Sequence, residues 1–88
     1  MIEFDGAKAV ANLAKHGLHL SLAEEMDMSD AVILADERKD YGEARFRALG
    51  RIENRWHCLV FTLCGDAIRA ISLRHAHTKE IKRFAPQR

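Results

Sequence analysis

Apolar residues recur at helical spacing close to the start of the chain. The members of this stripe are Ala7, Val10, Ala11, Leu13 and Ala14. Their spacing predicts a helix over residues 6–16, with Asp5 as its N-cap and Gly17 as its C-terminal stop. A short strand over Met1–Phe4 is predicted to precede this helix.

The next segment predicts a second, shorter helix. Ser21 and Glu24 have the spacing of a capping box, in which each side chain bonds a backbone N–H at the start of a helix. We therefore expect a helix over roughly residues 21–28, and Met28-Ser29-Asp30 is expected to end it.

From Val32 onwards the pattern is that of β-strands joined by turns. The predicted strands are Val32–Asp36, Ala44–Ile52, Trp56–Cys64 and Ala67–Arg74. A charged stretch, Glu37–Gly42, predicts an exposed loop, and Arg51–Arg55 predicts a polar connection. Gly65-Asp66 predicts a tight hairpin turn before the last strand.

The order of these elements predicts an α+β fold. Thr78 can cap a last helix that runs to about Phe84 and ends at Pro86. A short N-terminal strand and two helices are thus followed by an antiparallel sheet and a C-terminal helix. At 88 residues and 10.0 kDa, the chain fits a single domain spanning residues 1–88.

Composition narrows the class of protein. The longest apolar runs, such as Ala31–Ala35, are far shorter than the roughly 20 residues of a membrane span. The N-terminus lacks the apolar stretch of a signal peptide. We therefore expect a soluble, cytoplasmic protein without a membrane partner. Cys58 and Cys64 are too far apart along one predicted strand to form a disulfide, so we expect two buried thiols.

The net charge of +1 conceals an asymmetry between the two halves of the chain. Residues 1–44 hold four basic and ten acidic residues, a charge of −6, whereas residues 45–88 hold ten basic and three acidic residues, a charge of +7. The basic half predicts an anion-binding surface. The alternative is that the two halves fold back and neutralise each other, and the charge pattern alone favours neither.

Arginines dominate the basic half. Arg45, Arg47 and Arg51 alternate with apolar residues, which places them on one face of a strand. Alternation along the last strand places Arg69 on the face opposite to Arg74. Guanidinium groups bind phosphate oxygens in pairs, so several on one sheet face predict a cradle for a phosphate backbone. The alternative is an ordinary solvated sheet face.

Histidines raise the question of metal binding. His75 and His77 lie on one side of an extended segment, but no further ligands of known spacing accompany them, so we expect no metal site and no cofactor. His16 lies at the predicted end of the first helix, where it either caps the helix or supplies a charge or proton near a phosphate. Gly-rich phosphate loops, GxSxG and HExxH are absent from the sequence, which leaves ATPase, serine-hydrolase and zincin chemistry without support.

Three spaced motifs give the chain a resemblance to a known family. They are Phe4-Asp5-x-x-Lys8-x-x-x-Asn12-x-x-Lys15-His16-Gly17, Gly42-Glu43-x-Arg45-Phe46-x-x-x-Gly50 and Ile68-Arg69-x-Ile71-Ser72-x-Arg74-x-Ala76-x-x-x-Glu80. Together, and over nearly the whole chain, they resemble the BrnT family of bacterial toxins, which has a RelE-like ribonuclease fold. The resemblance implies a metal-independent endoribonuclease that cleaves RNA by 2′-OH attack, inhibits translation and is neutralised by a cognate antitoxin. In such families the complex contacts operator DNA through the antitoxin.

The resemblance and the needs of this reaction point to a set of site residues. Arg74 is the first candidate for stabilising the pentacoordinate phosphate, followed by Arg45 and Arg69. His16 or Glu43 is expected to take the proton of the 2′-OH. The residues expected to bind RNA are Lys15, Arg47, Arg51 and Phe4. An alternative for Lys8, Asn12 and Lys15 is a helix face that binds the antitoxin or caps the helix.

Two positions depart from the family pattern. The family usually carries Trp where this chain has Phe4, and a Tyr near the C-terminus where this chain has Phe84. Phenylalanine can still stack on a base, but it lacks the indole N–H or phenol O–H donor. These departures motivate a second hypothesis, a catalytically weak binding module that complexes the antitoxin and co-represses its operon.

Overall fold

The fold is a five-stranded sheet with short helices, and the computed structural model describes residues 2–84. The elements are strands β1 (Ile2–Phe4), β2 (Val32–Ala35), β3 (Phe46–Ile52), β4 (Arg55–Cys64) and β5 (Ala67–His75), helices α1 (Gly6–His16) and α2 (Thr78–Phe84), and two 3-10 helices, Leu20–Glu25 and Met28–Asp30. The sheet order is β1-β5-β4-β3-β2, with β1 parallel to β5 and the other pairs antiparallel. The predicted α+β fold is confirmed.

Helix α1 has the predicted bounds and the predicted caps. The Asp5 carboxylate accepts a hydrogen bond from the Lys8 N–H at 3.3 Å. Gly17 adopts a left-handed φ of 73°, and its N–H donates to the Leu13 carbonyl at 2.9 Å. A residue with a side chain would be strained at this φ, which explains why the helix stops at a glycine.

The apolar stripe of α1 faces solvent rather than the core. The buried residues of the helix are Ala9 and Asn12. Val10 is 72% exposed and Leu13 is 49% exposed. The exposed residues that make up this α1 stripe are Ala7, Val10, Ala11, Leu13 and Ala14. Helical spacing therefore predicted the helix correctly, although the apolar side of the helix is not the side that packs on the sheet.

The second predicted helix is wrong in type and in its start. The segment is 3-10 rather than α, and it begins at Leu20. The expected capping box does not form, because the ring of His19 accepts the Ser21 N–H at 3.1 Å. Glu24 instead accepts the N–H of Ile2 at 2.9 Å, which ties the 3-10 helix to β1.

Helix α2 has the predicted bounds, but its cap lies one residue before Thr78. The His77 carbonyl accepts the first helical bond from the Ile81 N–H at 3.1 Å, and the Glu80 side chain accepts the His77 N–H at 2.8 Å. The predictions for Met1 and Pro86 fall outside the described residues. Among residues 2–84, neither α-helix is long and apolar enough to cross a membrane.

One face of the sheet carries the hydrophobic core. Leu59 of β4 and Leu73 of β5 are fully buried and belong to the same cluster as Leu20 of the 3-10 helix. Met26 packs directly over Gly50, where an added Cβ would lie 2.7 Å from the Met26 Cγ and Sδ. A side chain at this point of β3 would therefore displace the buried Met26 side chain, which glycine avoids.

A β-bulge changes which residues of β5 share a face. The register shifts by one between Val60 and Phe61 of β4, which leaves Ile71 of β5 outside the pairing. As a result, Arg69 and Arg74 lie on the same face of the sheet, opposite to the core. The expectation that they lie on opposite faces is wrong, because it assumed unbroken alternation along the strand.

Candidate active site

A basic groove lies between α1 and the sheet face opposite to the core. It is open to solvent and has a volume of about 370 Å³. The sheet contributes Val60, Ile71 and Ser72 to its lining. Within residues 2–84, every ionisable side chain that lines the groove is basic. These side chains are Lys8, Lys15, His16, Arg38 and Arg74.

Helix α1 supplies three of these five side chains, Lys8, Lys15 and His16. Lys8 and Lys15 lie two turns apart on the flank of the helix next to Asn12. Asn12 is 4% exposed and hydrogen bonds the backbone of Leu73 in β5, so it fixes this flank against the sheet. In the part of the chain that the structure describes, neither lysine has an acidic partner. Both ammonium groups are therefore available to bind an anion.

His16 lies at the C-terminal end of α1, half-buried at the edge of the groove. Burial lowers its pKa below the ordinary value, and the positive charges of Lys15 and Arg74 lower it further. Both effects disfavour the imidazolium form. A neutral imidazole next to a phosphate-binding cation can accept a proton, which is the chemistry that a general base requires.

Arg74 lies on β5, opposite Cys58 of β4, and is bound by a carboxylate of α2. Its Nη1 and Nη2 donate to the two carboxylate oxygens of Glu80 at 2.7 and 2.9 Å. Arg47 of β3 lies behind this pair, with its Nη1 3.7 Å from the same carboxylate. Both cysteines are free thiols, as expected, and Cys58 is buried on this face. The expectation that Cys64 is also buried is wrong, because it lies exposed at the end of β4.

Arg38 is a groove residue that the sequence analysis missed. It lies in the segment that was predicted to be an exposed loop, directly after β2. Its Nε and Nη2 donate to the buried carboxylate of Asp36 at 2.7 and 2.9 Å. The Asp-x-Arg spacing at the end of a strand is the signal that could have indicated this pair.

The structure brings Arg74, His16 and Lys15 together but separates Arg45 and Glu43 from them. The Arg45 Nε donates to Glu43 at 3.2 Å, and its guanidinium lies 4.0 Å from the centre of the Tyr41 ring. All three line a different cavity, of about 400 Å³, beside the loop after β2. Arg45 directly precedes β3, and alternation puts it on the same side as Arg47, but neither arginine lines the basic groove.

The expected arginine cradle on β3 does not form, because each of its arginines has its own neighbours. Arg51 is paired with Asp30, and its guanidinium lies 5.4 Å from the centre of the Trp56 ring. Arg47 lies against the Glu80 carboxylate and the Phe84 ring instead. The basic residues of the groove therefore come from α1, β5 and the loop after β2.

Arg69 and Phe4 line a cavity that adjoins the basic groove. This cavity has a volume of about 560 Å³ and shares Lys8 with the groove. Arg69 donates to Glu3 at 2.9 Å, and Phe4 is 37% exposed with its ring edge-on to that of His19. Glu3 and Asp5 line the same cavity, so its charged groups are balanced, and the exposed ring of Phe4 is the group suited to stacking on a nucleic-acid base.

The charge asymmetry is in part neutralised by ion pairs between the two halves of the chain. Basic residues of the second half pair with acidic residues of the first half, as neutralisation predicts. These pairs are Arg45–Glu43, Arg51–Asp30 and Arg69–Glu3. Arg74 and Arg47 pair within their own half, with Glu80. Arg74 is the one basic groove residue of the described chain that comes from the second half, because Lys8, Lys15, His16 and Arg38 belong to the first.

The two histidines near the end of β5 do not form a pair with each other. The ring of His75 packs against that of His57, with 4.7 Å between centroids, whereas His77 lies beside Glu80. Within residues 2–84, no group of three or more His, Cys, Asp or Glu side chains is arranged to hold a metal ion.

The fold and the site can be compared with those of known proteins. A sequence model described as "Ribonuclease toxin, BrnT, of type II toxin-antitoxin system" matches residues 4–80. No curated protein matches the chain. The fold is similar to the 1.1 Å crystal structure of the Brucella abortus ribonuclease toxin BrnT, with a TM-score of 0.70 and 26% identity, covering 88% of this chain and 96% of that one. The chain therefore belongs to the BrnT family of ribonuclease toxins from type II toxin–antitoxin systems.

Proposed function

We propose that this chain is an endoribonuclease that binds an RNA backbone in the basic groove and inhibits translation by cleaving it. The observation that carries the proposal is that Arg74 and His16 line the same groove, in which all ionisable lining residues are basic. Attack by a 2′-OH needs a group that binds the phosphate and a base that accepts the proton. The Arg74 guanidinium can do the first, and the neutral imidazole of His16 can do the second.

The proposed reaction starts with transfer of the 2′-OH proton to His16. The 2′-oxygen then bonds to the adjacent phosphorus, and the bond from phosphorus to the 5′-oxygen breaks. The 5′-oxygen takes a proton from water in the open groove, and the remaining hydroxide takes the proton from His16, which leaves a 2′,3′-cyclic phosphate, a 5′-hydroxyl and a neutral His16. Arg74 and the lysines of α1 stabilise the extra negative charge on the pentacoordinate phosphate, so the reaction does not require a metal ion.

His16 is favoured over Glu43 as the base because Glu43 lines a separate cavity. Arg69 is assigned to RNA binding next to the groove rather than to the reacting phosphate, since it lines the adjoining cavity. There, Phe4 would stack on a neighbouring base, and Lys8 would bind the phosphate between the two cavities.

The proposed partner of the α1 stripe is the cognate antitoxin. The stripe is apolar and exposed, and α1 contains no Asp or Glu. Lys8 and Lys15 lie on the flank of the same helix, so a partner segment that is apolar on one side and acidic on the other matches both surfaces. Such a segment would cover the groove and exclude RNA. Operator DNA would be contacted by the antitoxin within this complex.

A test of the ribonuclease function is cleavage of a labelled single-stranded RNA by purified, antitoxin-free protein in EDTA. We expect Arg74→Ala to slow cleavage by at least about 100-fold, because it removes the main stabiliser of the transition state, and we expect Arg74→Lys to retain part of the activity. Arg55→Ala is the matched control, since Arg55 is an exposed sheet arginine outside the groove. Undiminished cleavage by folded Arg74→Ala would refute the proposed site.

The second candidate function is a binding module with weak or no catalysis. The Phe84 ring lies 5.9 Å from the Arg47 guanidinium, beside the Glu80 pair, and has no hydroxyl to offer to a substrate. Under this hypothesis the folded wild-type protein binds the antitoxin but leaves RNA intact, and its overexpression without antitoxin is harmless. Growth arrest on overexpression would favour the ribonuclease.

A further inference from the structure

Glu80 of α2 holds Arg74 by two parallel hydrogen bonds. Nη1 of Arg74 donates to one carboxylate oxygen at 2.7 Å, and Nη2 donates to the other at 2.9 Å. Both side chains are largely buried, with exposed fractions of 19% for Arg74 and 13% for Glu80. A doubly bonded pair that is mostly shielded from water fixes the plane of the guanidinium as well as its position.

Glu80 is itself fixed from further directions. The His77 N–H donates to its Oε1 at 2.8 Å, and Nη1 of Arg47 lies 3.7 Å from its Oε2. The hydrogen bonds from Arg74 lower the pKa of Glu80 to about 2, so the carboxylate is ionised at neutral pH. The carboxylate therefore has a fixed place between α2 and the sheet.

This arrangement leaves one edge of the Arg74 guanidinium free. Of its five N–H groups, one on each terminal nitrogen is bound by Glu80, and Nη1 also donates to the His75 carbonyl at 3.3 Å. The Nε–H and the second N–H of Nη2 remain, and within residues 2–84 neither has an acceptor. These two N–H groups form the side edge of the guanidinium, which can bind two oxygens of one phosphate.

We propose that Glu80 is a positioning residue of the ribonuclease: it occupies the end edge of the Arg74 guanidinium and thereby presents the side edge to the reacting phosphate. The inference rests on the proposed ribonuclease function. Glu80 touches no substrate atom in this arrangement. The negative charge of Glu80 lies close to the groove and therefore weakens the electrostatic attraction between the groove and RNA. At the same time, Glu80 orients the Arg74 guanidinium, which stabilises the transition state.

Removal of the Glu80 charge is expected to raise the affinity for RNA and to lower kcat. Glu80→Gln keeps the shape and one acceptor oxygen, but it cannot accept both bonds from Arg74. The groove then gains one net positive charge, so binding of a non-cleavable 2′-deoxy RNA analogue should become tighter. The rotational freedom gained by Arg74 should lower kcat about 10- to 100-fold. Glu80→Asp keeps the charge and should recover part of kcat.

A purely structural role for Glu80, as an attachment point of α2, predicts a different result. Loss of the attachment would weaken RNA binding and lower kcat together, with no recovery of kcat in Glu80→Asp. The matched control is Glu25→Gln, which makes the same charge change at an exposed position on the 3-10 helix. It should alter neither kcat nor the affinity for the analogue.

The experiment measures kcat, KM and analogue affinity for the wild-type protein and the three variants. Lower kcat with unchanged or lower KM in Glu80→Gln supports the inference, whereas unchanged kcat, or a rise in KM with the fall in kcat, overturns it. If the wild-type protein itself leaves RNA intact, the ribonuclease proposal fails and this inference fails with it. If the wild type cleaves and Glu80→Gln cleaves equally well, only the inference about Glu80 fails.

Discussion

The side chain of Asn12 continues the hydrogen-bond ladder of β5 beyond the end of β1. Its Nδ2 donates to the Leu73 carbonyl at 2.9 Å, and its Oδ1 accepts the Leu73 N–H at 2.9 Å. The same Nδ2 donates to the Leu18 carbonyl at 2.8 Å. Since β1 pairs with β5 only as far as Phe4 and Ala70, the amide takes the place of a peptide group and anchors α1 to the sheet edge.

Replacing Asn12 by Leu is expected to destabilise the protein strongly. Three backbone groups lose their partner, and each buried unpaired group costs about 1–3 kcal/mol. We expect the free energy of unfolding, measured by urea denaturation, to fall by about 3 kcal/mol or more. Val10→Ala, an exposed change on the same helix, should stay within about 0.5 kcal/mol of wild type. Equal effects of the two substitutions would contradict the proposed role of the Asn12 amide.

Local signals in the sequence were enough to predict the elements whose ends are set locally. Asp5 and Gly17 cap α1 through contacts within four residues, so their pattern could be recognised without the fold. The 3-10 helix could not be predicted in this way, because the partner of Glu24 is the N–H of Ile2, 22 positions away. The bulge at Ile71 is likewise a property of the pairing between two strands.

The candidate site was predictable where the family motifs supply its residues. Arg74, His16 and Lys15 come from such motifs and meet in one groove. Arg38 was not predictable from charge, because its position depends on a pair with buried Asp36. Arg45 was assigned to the site from strand alternation, which establishes a shared face but says nothing about which cavity a long side chain enters.

Cleavage is expected to rise with pH as His16 loses its proton. Burial and the charges of Lys15 and Arg74 lower the pKa of His16, so the midpoint of the kcat/KM profile should lie below the ordinary histidine value of about 6.5. Lys15→Gln removes one of these positive charges, which should move the midpoint upwards. Lys79→Gln, an exposed change on α2, should leave it in place. A midpoint that shifts equally in both variants would argue against His16 as the base.

The stability that Glu80 contributes is expected to disappear in acid. Its pKa is about 2 in the folded protein, below the ordinary 4.5, chiefly because Arg74 donates hydrogen bonds to it. A carboxyl group with a lowered folded-state pKa stabilises the protein above the unfolded pKa and loses this contribution as the pH falls towards the folded value. The stabilisation by Glu80 is therefore lost as the pH falls from about 4.5 to about 2.

Urea denaturation of the wild-type protein and Glu80→Gln across this window measures the effect. The wild type should be more stable at neutral pH, and the difference should shrink as the pH falls, because protonated Glu80 then resembles glutamine. Glu25→Gln should differ little from wild type at any pH, since Glu25 is exposed. A difference between the wild type and Glu80→Gln that stays constant down to about pH 2 would show that the carboxylate charge is not what stabilises this contact.

Binding of the antitoxin is expected to depend on the exposed α1 stripe. Val10 is 72% exposed at its centre, and Val10→Glu places a charge on an apolar surface and repels an acidic partner. We expect this variant to keep its RNA cleavage, because Val10 does not line the groove. Its affinity for the antitoxin should fall about 10-fold or more, as for other buried interface positions. Titration of the cleavage reaction with purified antitoxin measures both quantities.

Ile33 on β2 provides the matched control for this surface. It is also apolar and is 47% exposed, but it lies on the edge strand β2, at the opposite end of the sheet order from β1. Ile33→Glu should therefore leave inhibition by the antitoxin unchanged. Loss of inhibition in Ile33→Glu but not in Val10→Glu would move the interface to the β2 edge. A dimer of the free protein that Val10→Glu dissociates would assign the stripe to a second copy of this chain, because an apolar helix face cannot contact two partners at once.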